Sequence, residues 1–393
     1  MLVLSTISAK AQVNYVQNPS FELYDTCPDW IGQINRATHW NSTVGNSANF
    51  FHACANPSIY TGVPINENGG GNGLSHQYPR NGIGHINILL NEETNVLPSY
   101  FNGEYVRNLL KSKLTKDKSY CVKAYLSVCE GGINCFTDGF GFYFDDGTYT
   151  SSMNVNPQVE NPVFNYLTDS VGWMEVSGTF IASGDEEYLN LGNFRKLQSN
   201  FIPTANDPNN GYYFSAYYLD DVSVIESDLP AFAGNDTSLQ NIGDSVYLGR
   251  QPEIGLECTW YNSQGDIIGT GAGLWVQPQH TSFYVVEQNL CGNIKRDTVY
   301  ISMGTSVENG SIWEGVKVFP NPSEGRFRLQ FPTLESREWL ISLCEVSGKE
   351  VYKSQLFCQG EIEIATHLPS GMYFLHIQDR ETRASIVRRV VIK

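Results

Sequence analysis

Along much of this chain apolar and polar residues alternate with a period of two rather than 3.6. Tyr120-Cys121-Val122-Lys123-Ala124-Tyr125-Leu126 and Phe140-Gly141-Phe142-Tyr143-Phe144 are representative. Side chains on a strand point alternately to opposite faces, so these segments predict strands of a large sandwich. One stretch, around Asn102 to Lys116, is compatible with a helix, but it follows Pro98 and reads equally as the lead into a strand. No strong amphipathic helix, heptad or repeat of roughly 20 to 50 residues occurs. The expected fold class is all-β.

Turn punctuation divides the chain. Val13 to Glu226 is dense in Asn, Gly and aromatics and reads as one large sandwich, residues 12–226. Ser227-Asp228-Leu229-Pro230 reads as a linker. Short strands separated by turns such as Ser263-Gln264-Gly265-Asp266 then run to about Met303, and residues 231–303 have the size of an immunoglobulin-like sandwich. A second polar linker, 304–315, precedes a last set of strands, 316–393.

Composition agrees with this picture: aromatics make up 12% of the 393 residues against 17% charged, with 36 Gly and 17 Pro, a turn-rich balance far from that of helical proteins. The formal net charge is −16, and no long Lys/Arg run exists, which argues against nucleic acid and anionic membrane surfaces as partners. No apolar stretch reaches the roughly 18 to 20 residues of a membrane-spanning helix. The first residues, with an apolar run and then Ala9-Lys10-Ala11 before Gln12, read as the tail of a secretory signal over residues 1–11.

Nine cysteines in an exported chain suggest disulfides with one thiol left over. Cys129 and Cys135 flank Gly131-Gly132 as in a bridged tight loop, and Cys27 with Cys54 and Cys258 with Cys291 are expected long-loop pairs. Cys121 and Cys129 would lie about 26 Å apart on one strand and cannot bond. A hairpin turning at Ser347-Gly348-Lys349 would set Cys344 near Tyr352 and leave Cys358 unbridged. No thiolate or His set has zinc spacing.

At the C-terminus, Val318-Phe319-Pro320-Asn321-Pro322-Ser323-Glu324-Gly325, Glu345-Val346-Ser347-Gly348-Lys349, Leu368-Pro369-Ser370-Gly371-Met372-Tyr373 and Arg388-Arg389-Val390-Val391-Ile392-Lys393 occur in order. Together they resemble the type A sorting domain of the type IX secretion system of Bacteroidetes, with Pro320, Asn321, Pro322, Gly348, Gly371 and Tyr373 as motif positions. The prolines mark a strand entrance, Ser-Gly-Lys closes a hairpin, and Gly371 is expected where the chain turns into its last buried strand. The resemblance implies export through the type IX translocon and handling by its sortase machinery. The product would be released or attached to surface lipopolysaccharide.

The large N-terminal segment opens on Asn18-Pro19-Ser20-Phe21-Glu22 and closes on Tyr217-Tyr218-Leu219-Asp220-Asp221-Val222. It resembles the galactose-binding-like jelly rolls, which include many carbohydrate-binding modules. That resemblance implies one structural calcium ion held by Glu22 and Asp220, with Asp221 as substitute, hard oxygen ligands from the two chain ends. A second likeness, through Ala37-Thr38-His39-Trp40, Asn49-Phe50-Phe51-His52-Ala53-Cys54 and Gly192-Asn193-Phe194, is to an extracellular domain of Bacteroidetes surface proteins without an assigned function. In the middle segment, Thr259-Trp260-Tyr261 and Thr281-Ser282-Phe283-Tyr284 resemble immunoglobulin-like and polycystic-kidney-disease-like modules, with Trp260 as core tryptophan.

The nucleophile-elbow, zinc-protease, phosphate-loop and dinucleotide signatures are all missing, and no enzyme activity is expected. The adjacent carboxylates Glu92-Glu93, Asp145-Asp146 and Glu186-Glu187 would point to opposite strand faces and are expected to be solvated. Sugar recognition uses flat aromatic faces flanked by hydrogen-bonding side chains, and the candidates are Trp30, Trp40, Tyr100, Tyr143 and Tyr212. The loop Ile65 to Tyr78 is a further candidate for binding or adhesion. The expected function is non-catalytic binding of a glycan or cell-surface ligand. The alternatives are a glycan-active hydrolase on the jelly-roll face and a purely structural or adhesive protein.

Overall fold

Hydrogen bonding sorts most strands of the N-terminal segment into two antiparallel sheets packed face to face, with two short ladders apart from them, Ile65–Glu67 with Leu74–His76 and Cys135–Thr137 with Phe201–Pro203. The front sheet runs, in spatial order, Trp40–Ser42, Tyr105–Leu109, Tyr188–Gly192, Gly141–Asp145 and Val159–Glu160. The back sheet runs Met174–Ile181, Ser119–Val128, Tyr212–Glu226, Gly84–Thr94 and Asn49–His52, with Tyr100–Phe101 also paired to Gly84–Thr94. This computed structural model describes residues 13–43, 48–56, 61–67, 74–94, 100–101, 103–130, 133–150, 154–195, 200–204, 212–303, 315–331, 336–345, 349–381 and 385–393. Among them the protein is all-β apart from a single 3-10 turn, Ile34–Arg36.

The two-residue period explains the core. Val106, Phe142, Phe144, Leu189 and Leu191 of the front sheet meet Ile86, Ile88, Val122, Leu126, Val176, Tyr217 and Leu219 of the back sheet. Phe144 stacks on Phe180 with centroids 4.6 Å apart. The ambiguous stretch after Pro98 resolves as the strand Tyr105–Leu109, hydrogen-bonded on both sides. Val106 enters the core from it, whereas Tyr105 and Arg107 take the opposite face.

Alternation along Ser119–Val128 predicts one buried face, yet nearly the whole strand is buried. The face carrying Cys121, Lys123, Tyr125 and Ser127 is covered by two other segments. Gln77 donates to the Ser127 hydroxyl at 2.7 Å, the Arg80 guanidinium lies 3.5 Å over the Tyr125 ring, and Cys121 is bonded to Cys291.

The chain divides into two compact units, the first of residues 1–236, 245–276 and 282–300, the second of 237–244, 277–281 and 301–393. The first unit therefore contains strands of the middle segment: Val246–Gly249 paired with Gly273–Val276, and Cys258–Tyr261 between Ser282–Leu290 and Ile267–Thr270. Trp260 is fully buried there and donates its indole N–H to the Gly271 carbonyl at 3.0 Å. Gly249 has φ +80°, and a Cβ would come within 2.5 Å of the Ala272 carbonyl oxygen and 2.6 Å of Trp260, so only glycine fits.

In the second unit, Thr237–Leu239 pairs in parallel with Ile301 to Met303. A three-stranded sheet of Lys317–Phe319, Arg326–Gln330 and Glu361–Ala365 accompanies a four-stranded sheet ordered Glu350–Cys358, Arg337–Glu345, Gly371–Asp379, Ser385–Ile392. Trp339, stacked on Phe331 at 4.2 Å, joins Phe327, Ile341, Leu375 and Val390 in its core. Gly371 opens the penultimate strand, not the last one as expected; the final strand is Ser385–Ile392, and the two pair along their full length.

Two disulfides lie among the described residues, Cys27–Cys54 and Cys121–Cys291. Neither is the expected Cys129–Cys135 or Cys258–Cys291 bridge. Cys291 is captured by the back sheet because the turn that follows Ser282–Leu290 lies against Val122 and Gly178, whose carbonyls face its sulfur. Cys258 is left as a buried thiol, its pKa pushed up to about 11 by burial. Cys344 stands opposite Glu350 and Cys358 opposite Arg337, far along the same hairpin. The Cys121–Cys291 bond spans 170 residues, a long loop to leave open in the unfolded chain. Replacing both residues by Ser is expected to cost the first unit about 2–5 kcal/mol, read as a lower urea midpoint; an unchanged midpoint would show that packing alone holds the two segments together.

Candidate functional site

Glu22, Asp220 and Asp221, the three residues expected around a metal ion, do converge, but on a peptide loop. Glu22 accepts the backbone N–H groups of Ile83 at 2.9 Å and Gly84 at 3.0 Å. Asp220 accepts those of Arg80 at 2.8 Å and of Asp221 at 2.8 Å. Asp221 receives the Arg80 guanidinium at 2.6 Å and the Asn81 amide. Among the described residues no three His, Cys, Asp or Glu side chains are grouped closely enough to share a metal ion. With their oxygens turned to N–H donors, these carboxylates as arranged do not fit a calcium cage, which takes six to eight oxygen ligands.

The aromatic candidates scatter. Trp40 is a core residue, packed on Phe21 at 4.8 Å with its indole N–H given to the Asn18 carbonyl. Trp30 is 57% exposed on a turn that the Gln33 side chain closes. Tyr100 and Tyr212 share one register row, both paired to Thr94; their side chains lie outside the described residues, as do Gly348, the centre of the Ile65 to Tyr78 loop and the leader residues 1–11.

Tyr143 is the exception, because it stands on the outward face of the front sheet among side chains of the right chemistry. Tyr105 and Arg107, Tyr143 and Asp145, and Tyr188 and Asn190 come from three adjacent strands, and the register pairs Arg107 with Asn190 and Asn190 with Tyr143. Tyr143, Tyr149 and Phe194 pack with centroids 5.1 to 5.9 Å apart. Beside them Arg107 donates to the Asn190 side-chain amide oxygen at 2.8 Å and the Tyr149 backbone carbonyl at 2.9 Å, lies 3.4 Å from Asp145, and sits 5.0 Å over the Tyr188 ring. Burial raises the phenol pKa of Tyr143, with the Asp145 charge adding to it, so the hydroxyl stays protonated as a donor. The arrangement offers half-buried rings next to a fixed set of donors and acceptors.

Asp145 was expected to be solvated and is not. Its side chain is 4% exposed and takes Arg107, Asn190 and the N–H groups of Gly147 and Tyr149. Glu186 is likewise buried, capping the Ser183-Gly184 turn with its carboxylate. Asp146 and Glu187 behave as expected of surface groups, Glu187 pairing with Lys113 at 2.8 Å. Sequence reasoning missed Arg107, Tyr188 and Asn190. The signal was the outward set of each strand, but it becomes visible only once the three strands are known to be neighbours.

A second group of carboxylates lines a cleft of about 1080 Å³ on the outward side of the back sheet, with Arg80, Lys123, Glu175 and Glu257. Glu175 and Glu257 each stand 2.9 Å from the Tyr125 hydroxyl, and Lys123 lies 3.7 Å from one and 4.0 Å from the other. Burial raises the pKa of Glu175, but the Ser177 hydroxyl and the Lys123 charge outweigh it and hold the carboxyl below its ordinary value. A glycosidic general acid needs the opposite shift.

Residues 317–393 match the family of secretion system C-terminal sorting domains. A tail of this kind marks a chain exported across the outer membrane, to the surface or beyond, and implies contact with the type IX secretion machinery. No curated protein matches the chain. Among solved structures it is similar to the CBM22-1 xylan-binding domain of Paenibacillus barcinonensis Xyn10C, with 14% identity over 55% of this chain and 97% of that one and a TM-score of 0.28. It is also similar to PorZ of the Porphyromonas gingivalis type IX secretion system, with 15% identity, 28% and 15% coverage and a TM-score of 0.19. A two-domain fibronectin type III segment of chicken tenascin aligns at 10% identity, 39% and 95% coverage and a TM-score of 0.16. The chain spans only 15% of the length of PorZ.

Replacing Arg107 by Ala would leave the Asp145 carboxylate buried without its cation. The expected cost is about 3 kcal/mol, measured as a shift in the urea midpoint; no shift would show that the surrounding N–H donors suffice.

Proposed function

We propose that this exported protein binds a glycan without acting on it, through the outward face of the front sheet, as a surface protein of the Bacteroidetes type. The observation that carries the reading is the pairing of the half-buried Tyr143 and Tyr188 rings with the locked Arg107–Asp145–Asn190 group. Sugar rings offer an apolar C–H face and a rim of hydroxyls, which such a surface matches with stacking and directed hydrogen bonds. Because Asp145 and Asn190 are held by neighbouring groups before any ligand arrives, little ordering entropy opposes binding. The Glu175 carboxyl is held below its ordinary value, the opposite of what a glycosidic general acid needs, which supports binding over catalysis.

The test is a glycan and polysaccharide array probed with the full chain, followed by Tyr143→Ala and Tyr188→Ala. Saturable binding is expected, weakened about tenfold or more by either variant, with no release of reducing ends. A folded chain that binds nothing would sink the glycan reading in favour of protein adhesion, and released sugar would favour the hydrolase.

A further inference from the structure

Period two puts Lys123 and Tyr125 on the outward face of Ser119–Val128, and the antiparallel register sets Ser177 beside Lys123 and Glu175 beside Tyr125. Residues 252–258 form the facing wall and bring Glu253 and Glu257. This wall is seated closely on the sheet: the Asn14 amide donates to the Ile254 carbonyl at 3.2 Å, and a Cβ on Gly255 would strike the Ser223 side chain. The cleft of about 1080 Å³ between them lies wholly within the first unit and has the volume of a small-molecule site.

Its floor has hydrogen-bonding capacity to spare in both senses. The Lys123 side chain is only 7% exposed, yet its ammonium makes no hydrogen bond of ordinary length among the described residues: Glu175 lies 3.7 Å and Glu257 4.0 Å from it. Those distances give attraction between charges but leave its N–H donors unspent. The Tyr125 hydroxyl stands 2.9 Å from both carboxylates and has a single proton for the two. Arg80 supplies Glu257 at 3.0 Å and otherwise serves Asp221. Each carboxylate therefore keeps lone pairs for a further donor.

A hydroxyl answers both needs, because its oxygen accepts from the ammonium while its hydrogen goes to a carboxylate. A charged ligand does not. An anion would meet Glu175, Glu253 and Glu257 around it, and a cation would meet the Lys123 ammonium on the floor. Two carboxylates flank the one ammonium, which calls for a pair of hydroxyls, and Thr259, Thr270 and Asn289 add polar groups along the walls.

We propose that this cleft is a second ligand site, separate from the front sheet, for a neutral sugar whose neighbouring hydroxyls bridge Lys123 to Glu175 and Glu257. The inference does not rest on the front-sheet reading, since no residue of that face lines the cleft.

Titration calorimetry of the full chain with the methyl glycosides of glucose, galactose, mannose and xylose tests it, with glucuronate and glucosamine as charged counterparts. At least one neutral glycoside is expected to bind saturably with a roughly millimolar Kd, more tightly than either charged sugar. That binding should be unchanged in Tyr143→Ala and weakened about tenfold or more in Lys123→Met and in Glu257→Gln. Glu257 is half exposed, so its variant decides the matter should the buried Lys123→Met chain fail to fold. A wild type that binds none of the neutral glycosides, or binds a charged sugar more tightly, would overturn the proposal. So would binding that survives Glu257→Gln unchanged, and binding lost in Tyr143→Ala would assign the sugar to the front sheet instead.

Discussion

A carboxylate taken out of water must meet a cation or a ring of N–H donors, and among the described residues four buried aspartates satisfy that constraint with an arginine. Asp221 pairs with Arg80, Asp145 with Arg107, Asp138 with Arg195 and Asp379 with Arg337, at 2.6, 3.4, 3.1 and 2.7 Å, and none of the four Asp side chains is more than 4% exposed. A buried pair of this kind adds little net stability, but breaking one is expensive because the partner is left charged and alone. The pairs therefore act mainly on geometry. Asp138 also takes the N–H groups of Phe164 and Asn200, and Asp145 those of Gly147 and Tyr149. Connections that enter and leave the strands are thereby pinned to the sheets.

The two outward faces of the large sandwich consequently differ. That of the back sheet is partly covered through the Cys121–Cys291 bond and Arg80 over Tyr125, and what remains open is a charged cleft beside Lys123, Glu175 and Glu257. That of the front sheet keeps Tyr143, Tyr188 and Arg107 partly open, over a floor that is already hydrogen-bonded. The proposed glycan face lies on the front sheet, and its geometry is set by the same kind of Asp–Arg pairing found elsewhere in the chain.

In the export tail the motif positions have structural tasks. The Asn321 side chain donates to the Arg389 carbonyl at 2.6 Å and accepts from the Val391 N–H at 2.8 Å, fastening the Pro320-Asn321-Pro322 entrance to the last strand. Tyr373 gives its hydroxyl hydrogen to the Pro369 carbonyl at 2.8 Å. The Tyr373 bond is local, whereas those of Asn321 reach across 68 and 70 residues; the tail is legible because its blocks are short runs of fixed residue type.

The same distinction separates what the sequence by itself determined from what only the tertiary structure decided. The two-residue alternation, the aromatic and glycine content and the C-terminal blocks sufficed for strands, an all-β fold and an exported chain, because each depends on neighbours within a few residues. Pairing between distant segments was not legible: Cys121 with Cys291, Arg107 with Asp145 and Asn190, and Arg80 with Asp221 are separated by 38 to 170 residues. Period two says that a side chain leaves the core face. It does not say what will cover it, so Asp145 read as solvated and Trp40 as a surface platform. The order of strands in the sheets made those assignments, since it brings an arginine to a buried carboxylate, and a slip of register at Asp220 turns two consecutive aspartates toward one loop.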